Sequence, residues 1–198
     1  MILLFAEAYS QVGFRVGYST NDFPKGFSDI KDDKQNLNHN LQFGFVVRSK
    51  EFLFVHFELF YMNRTGRIEN RPGFSGYVAS VDSFGQDIKL HSINMALMLG
   101  LNFLNHEHFK VRIFGGITPS FNLDAQIDSD PQFTNKPIRK SSFNSMSYSL
   151  NYGIGIDVWH FFTELRFSKE LSNYVEVPDG LNYSVKENYF CISAGIMF

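Results

Sequence analysis

Apolar and polar positions alternate along most of this chain. In the last stretch Phe190, Ile192, Ala194, Ile196 and Phe198 are apolar and share one face of an extended strand. Cys191, Ser193 and Gly195, small or weakly polar, share the other. The same period-2 pattern predicts strands over residues 11–20, 41–49, 52–64, 91–104, 109–122, 146–159, 161–170 and 188–198. One parity is apolar in each of them. Strand one gives Val12, Phe14, Val16 and Tyr18; strand four gives Ile93, Met95, Leu97, Leu99, Leu101 and Phe103; strand six gives Met146, Tyr148, Leu150, Tyr152, Ile154, Ile156 and Val158. The other parity carries Gly, Ser, Asn and charges, as in Gly13, Arg15, Gly17 and Ser19, or Ser147, Ser149, Asn151, Gly153, Gly155 and Asp157.

Which parity faces inward decides the class. A soluble eight-stranded barrel, as in lipocalins, would hold the apolar set inside. Here the apolar face is a nearly continuous band, which lipid tolerates and water does not. The Gly- and Ser-rich face suits the cramped lumen of a small barrel. The connections agree. Residues 50–51, 105–108 and 160 make short turns, whereas 21–40, 65–90, 123–145 and 171–187 are long. Short turns at one end and long loops at the other are the periplasmic and exterior ends of a membrane barrel. The expected fold is all-β: an eight-stranded antiparallel up-and-down transmembrane β-barrel with short periplasmic turns and four long extracellular loops. Tyr18, Tyr61, Tyr148 and Tyr152 lie toward the long-loop ends, and Phe52, Phe103, Phe109, Phe161 and Phe198, with Trp159, toward the short-turn ends. Two aromatic girdles are expected at the two interfaces.

Composition changes this picture little. The chain has 198 residues, with 23 Phe and 9 Tyr, and a mean hydropathy of −0.15. A barrel strand needs only alternation, so near-neutral hydropathy is compatible with a membrane protein. No apolar run reaches the ~18 residues of a membrane-spanning helix. A net charge of −2 gives no electrostatic basis for nucleic-acid binding. The single Cys191 excludes an internal disulfide and a cysteine-based metal site, and is expected to be an inward filler. Residues 1–10 read as the remnant of a secretory signal peptide, apolar and then small before Gln11, with residues 11–198 as the barrel domain.

Several stretches resemble a known family. Phe54-Val55-His56-Phe57-Glu58-Leu59-Phe60-Tyr61 followed by Thr65-Gly66, Tyr152-Gly153-Ile154-Gly155-Ile156-Asp157, Thr163-Glu164-Leu165-Arg166-Phe167-Ser168 and Leu171-Ser172-Asn173 are similar to segments of PorT-like outer-membrane barrels of Bacteroidetes. The resemblance implies the bacterial outer membrane. It also implies a role in type IX secretion or gliding motility, with secretion-system proteins as partners. The strand that ends in Phe198, with Phe190, Ile192, Ala194 and Ile196, resembles the signal read by the barrel assembly machinery.

Candidate chemistry lies on the inward parity. Arg15, Arg48, His56, Glu58, Lys110, Arg112, Asp157, Glu164 and Arg166 should share the lumen. Charges there are costly unless paired, so a mixed-sign network is expected in which Glu58 and Glu164 each meet an arginine. It would plug the barrel or, alternatively, form a gate. The aromatics Phe23, Phe27, Phe74, Tyr77, Phe84 and Phe133 fall in the long loops and form a candidate interaction surface. Asp124, Asp128 and Asp130 fall in the third long loop without EF-hand spacing. No catalytic, cofactor or metal site is expected. His91 and Ser92 are adjacent, so their side chains point to opposite faces. The expected protein is a non-enzymatic membrane scaffold or interaction module, with outer-membrane lipid and lipopolysaccharide around it. A barrel that binds or takes up an apolar small molecule is the alternative, and a lipid-modifying enzyme the third.

Overall fold

The computed structural model describes residues 10–20, 39–70, 84–106, 108–129, 140–172 and 188–198. Eight antiparallel strands close into a barrel in chain order: β1 (Ser10–Thr20), β2 (His39–Ser49), β3 (Leu53–Asn70), β4 (Phe84–His106), β5 (Phe109–Ser129), β6 (Met146–Val158), β7 (Phe161–Glu170) and β8 (Asn188–Met197). Each strand pairs with its sequence neighbour, and β1 pairs with β8 from Gly13↔Met197 to Thr20↔Phe190. Closure leaves no edge, so every strand has a partner on both sides, as a lipid environment demands.

The outward set is the apolar one. Val12, Phe14, Val16, Leu41, Phe43, Leu97, Leu99, Ile113, Ile154 and Ile192 are all exposed. Phe190, Ala194 and Phe198 also face outward, whereas Cys191 is buried in the lumen. The girdle at the short-turn end stands out from the wall, with Phe103 73% and Trp159 69% exposed. Aromatic pairs bridge neighbouring strands across the outer face, Phe14–Phe45 at 4.9 Å, Phe43–Tyr61 at 5.0 Å and Tyr152–Phe167 at 5.0 Å.

Short turns lie at 50–52, at His108 and at Trp159–His160. The first is pinned by Asn102, whose backbone N–H donates to Phe52 O at 2.9 Å and whose side chain donates to Glu51 O at 2.6 Å. Trp159 adopts a left-handed backbone (φ 54°) and ends β6 one residue earlier than the alternation predicts. Its N–H donates to His108 O at 2.9 Å, tying two turns together.

Three strands run far beyond their predicted ends. β3 reaches Asn70, β4 starts at Phe84 and β5 reaches Ser129. The predicted loops 65–90 and 123–145 therefore begin or end as sheet. The reason is a change of chemistry on the inward and outward faces. On this extension the inward residues Ile88, Leu90 and Ala125 are apolar and buried, while Asp87, Lys89 and Gln126 face out. Above the lipid the sheet is built like that of a soluble protein, so a search for an apolar outer face stops too soon. A register shift marks the crossing: His91 pairs with Asp124 and Ser92 with Asn122, leaving Leu123 as an extra residue.

Other expectations are corrected by the same extension. Phe84 opens β4 rather than standing in a loop, and Asp124 and Asp128 lie on β5. Pro119 falls inside β5, where the β4–β5 register skips Met95 and Ala96 and so spares the missing N–H. Phe23, Phe27, Phe74, Tyr77, Phe133 and Asp130 lie outside the described residues, as do residues 1–9 of the expected signal remnant.

Candidate functional site: a charged chain through the lumen

The inward charges come from six strands and meet near the barrel axis. Arg15 (β1) donates to Glu58 (β3) at 2.5 Å and to Gln42 (β2) at 2.9 Å. Arg166 (β7) grips the same Glu58 with both terminal nitrogens, at 2.8 and 2.7 Å, and also donates to Glu164 at 2.8 Å. Arg112 (β5) donates to Glu164 at 2.5 Å and to Asp157 (β6). Arg48 (β2) donates to Asp157 at 2.7 Å. Signs alternate from Arg15, below Gln42, to Arg48 at the periplasmic mouth. Alternation is what makes burial of so many charges tolerable, because each carboxylate meets two guanidiniums and bidentate pairing adds strength.

Space for these long side chains comes from glycine. Arg15 sits opposite Gly44 and Gly195, Arg112 opposite Gly155, and Arg166 opposite Gly153. A Cβ at Gly155 would stand 2.5 Å from the Arg112 guanidinium carbon. Aromatic rings fill the remaining volume. Arg15 lies over Phe60 at 4.9 Å, Arg166 over Phe114 at 5.5 Å, and Arg112 and Arg48 over Phe162 at 5.6 and 5.7 Å. Phe54, Phe60, Met62, Ala96, Met98 and Phe114 form one buried cluster; Val46, Phe162 and Met197 form another nearer the mouth.

His56 stands against both carboxylates. Its Nε2 is 2.9 Å from Glu58 Oε1 and its Nδ1 3.9 Å from Glu164 Oε1, both off the line of a hydrogen bond. His56, Glu58 and Glu164 could offer three ligand atoms within 4.8 Å of one another. Three guanidiniums already occupy those carboxylates at 2.5–2.8 Å, so a cation there would have to displace an arginine. Lys110 is set apart, half-buried at the periplasmic mouth.

A second lumenal group escaped the sequence reading. Arg64 (β3) lies 3.9 Å from Glu170 (β7), both buried, with Arg64 over the Tyr189 ring at 5.8 Å. Arg64 shares parity with Glu58, and Glu170 with Glu164 and Arg166, which is the signal that could have found them. Below it, Asn151 bridges Thr118 (2.6 Å) and Ser168, and Gln42 reaches Ser19 at 3.0 Å.

The rim histidine and serine separate as their adjacency requires. Ser92 Oγ is buried in the lumen, 3.2 Å from Asn94 Nδ2. His91 is on the outer side, hydrogen-bonded through Nδ1 to Tyr61 Oη. Higher up, Lys140 donates to Asp124 at 2.8 Å, and that bond holds the exposed Asp124 carboxyl below the usual carboxylate range.

Residues 5–176 match the family described as outer membrane protein beta-barrel domain. Among solved structures, Ail of Yersinia pestis in a phospholipid bilayer nanodisc is 16% identical, with 96% of this chain and 99% of that one covered at a TM-score of 0.42. Ail in complex with the heparin analogue sucrose octasulfate is 14% identical, with 96% and 97% covered at 0.35. LpxR from Salmonella typhimurium is 9% identical, with 94% and 100% covered at 0.36. No curated protein matches the sequence. A closed eight-stranded barrel with an apolar outer wall and a charged, filled lumen, matched over most of its length by one family, identifies the chain as a member of the outer membrane protein beta-barrel domain family, resident in the bacterial outer membrane.

Proposed function

We propose that the protein is a non-enzymatic outer-membrane scaffold or interaction module of the PorT type, accessory to type IX protein secretion. The observation that carries this reading is the filled lumen. Arg15, Glu58, Arg112, Glu164 and Arg166 are each at most 3% exposed and neutralise one another across the bore. An interior with its charges paired to its own wall favours a plug over a gate or a selectivity ring. The extension of β3, β4 and β5 above the lipid adds a rigid, polar-faced platform on which partners can dock. His91 and Ser92 point to opposite sides of the wall and do not form a nucleophile–base pair.

The test is a mild-detergent pull-down of the tagged barrel from native membranes, read by mass spectrometry, beside conductance in planar bilayers. Recovery of secretion-system components without conductance supports the proposal. Recovery of the barrel alone, with ligand-dependent openings, supports the uptake reading. Turnover of lipid A or phospholipid that is lost in His91→Ala would make it an enzyme.

A further inference from the structure

The chain of lumenal pairs ends one carboxylate short at the periplasmic mouth. Four guanidiniums (Arg15, Arg166, Arg112, Arg48) face three carboxylates (Glu58, Glu164, Asp157). Asp157, the last of them, is shared by Arg112 and Arg48. Arg48 Nη1 is left without a hydrogen-bond partner, although Arg48 is only 4% exposed. A buried guanidinium N–H with no acceptor is costly and marks a place where an anion is missing.

Arg48 lines a recess of about 70 Å³ that opens to solvent at this mouth. Lys110, His108 and His160 line it too, and Asp157 is the acid among the described lining residues. The recess crosses the rim: Phe109, Trp159 and Phe161, on its other side, belong to the aromatic girdle. Trp159 is held there in the left-handed conformation, which is uncommon for a bulky residue, with its ring edge-on to His108 at 6.3 Å. His160 is fixed by Met197 O, 3.2 Å from its Nδ1.

We propose that this recess is a binding site for a phosphate group, carried by an inner-leaflet phospholipid or free in the periplasm. Donors converge from β2 (Arg48), β5 (Lys110) and the turn before β5 (His108), while the Nδ1–H of His160 is held by Met197 O. That spread suits a tetrahedral oxyanion better than a planar carboxylate. The aromatic rim places the site at headgroup depth, from which lipid acyl chains would run up the outer wall past Phe109 and Phe161.

Trp159 is the single tryptophan of the chain, so its emission reports the site directly. The full-length barrel in maltoside micelles is titrated with dihexanoyl phosphatidylglycerol, with inorganic phosphate, and with phosphate-free dihexanoylglycerol. Saturable quenching or shift is expected with the phosphate-bearing probes and not with dihexanoylglycerol. Lys110→Gln, half-buried and outside the paired chain, should weaken binding tenfold or more, and added salt should weaken it further. Lipid binding at least tenfold tighter than inorganic phosphate assigns the site to a headgroup; equal affinities assign it to the free anion. No saturable response to either phosphate probe, an equal response to dihexanoylglycerol, or unchanged affinity in Lys110→Gln would overturn the proposal.

Discussion

Arg166 on β7 and Glu58 on β3 clasp each other across the bore through two hydrogen bonds of 2.8 and 2.7 Å. Their strands are not neighbours in the sheet, so the bond spans the lumen. Glu58→Leu removes the shared acceptor of Arg15 and Arg166 at once and leaves these buried guanidiniums only Gln42 and Glu164 as acceptors. Loss of one partner of a buried pair costs about 3–5 kcal/mol. The variant should unfold at lower temperature in detergent, seen as an earlier shift in heat-modified electrophoretic mobility; unchanged heat stability would sink the network as a stabilising element.

Two glycines should respond oppositely to the same change. A Cβ at Gly44 would stand 2.5 Å from Phe60 Cα, backbone that cannot swing away. At Gly115 it would meet Asn151 O at 3.4 Å and Tyr152 Cβ at 3.8 Å, ordinary contacts. Gly44→Ala should destabilise by about 1–3 kcal/mol, as overpacking does, while Gly115→Ala should fold as the parent. Equilibrium urea unfolding in lipid vesicles compares them.

The change of chemistry near His91 sets a depth scale. Leu97→Arg places a charge in the middle of the apolar band and should cost about 2–4 kcal/mol. Gln126→Arg, outward on the β5 extension, should cost close to nothing. If both variants lose the same stability in bilayers, the band does not end where the inward residues turn apolar.

Asp124 and Lys140 form an exposed pair on the extension. Because the bond lowers the Asp124 pKa, its contribution is present above the ordinary carboxylate range and is lost as pH falls through the Asp124 titration. Lys140→Ala should move the Asp124 midpoint upward in a carboxyl NMR titration, and salt should do the same in the parent. A midpoint unmoved by Lys140→Ala would show that the pair is not what lowers it.

Most of the barrel wall is legible because lipid imposes one rule on every strand: Val12, Phe43, Leu97 and Ile154 had to face out, and period 2 then assigns the rest. The lumenal charges follow from the same parity. The inward aromatics Phe54, Phe60, Phe114 and Phe162 are less legible, since they sit on the parity that reads as small and polar. An eight-stranded bore is filled by side chains, and rings fill it as well as polar groups do. The β3–β5 extension is hidden for a related reason: Ile88 and Leu90 keep their parity while their surroundings exchange lipid for water. Arg64 and Glu170 lay on the correct parity but at predicted strand ends, where alternation alone gives no reason to pair them.

The glycine-spaced arginines also constrain how the barrel is made. Arg15 to Glu58, Arg48 to Asp157 and Arg166 to Glu58 all join strands that do not touch in the sheet, and β1 finds its last partner only in β8. In an open, curling sheet these side chains would stand in water with their partners out of reach. Zipping of the β1–β8 seam, drying of the bore and neutralisation of its charges therefore have to occur together. A half-zipped sheet gains only the pairs within or between adjacent strands, such as Arg112–Asp157 and Arg166–Glu164, so closure is the cooperative step, and β8 is its last participant.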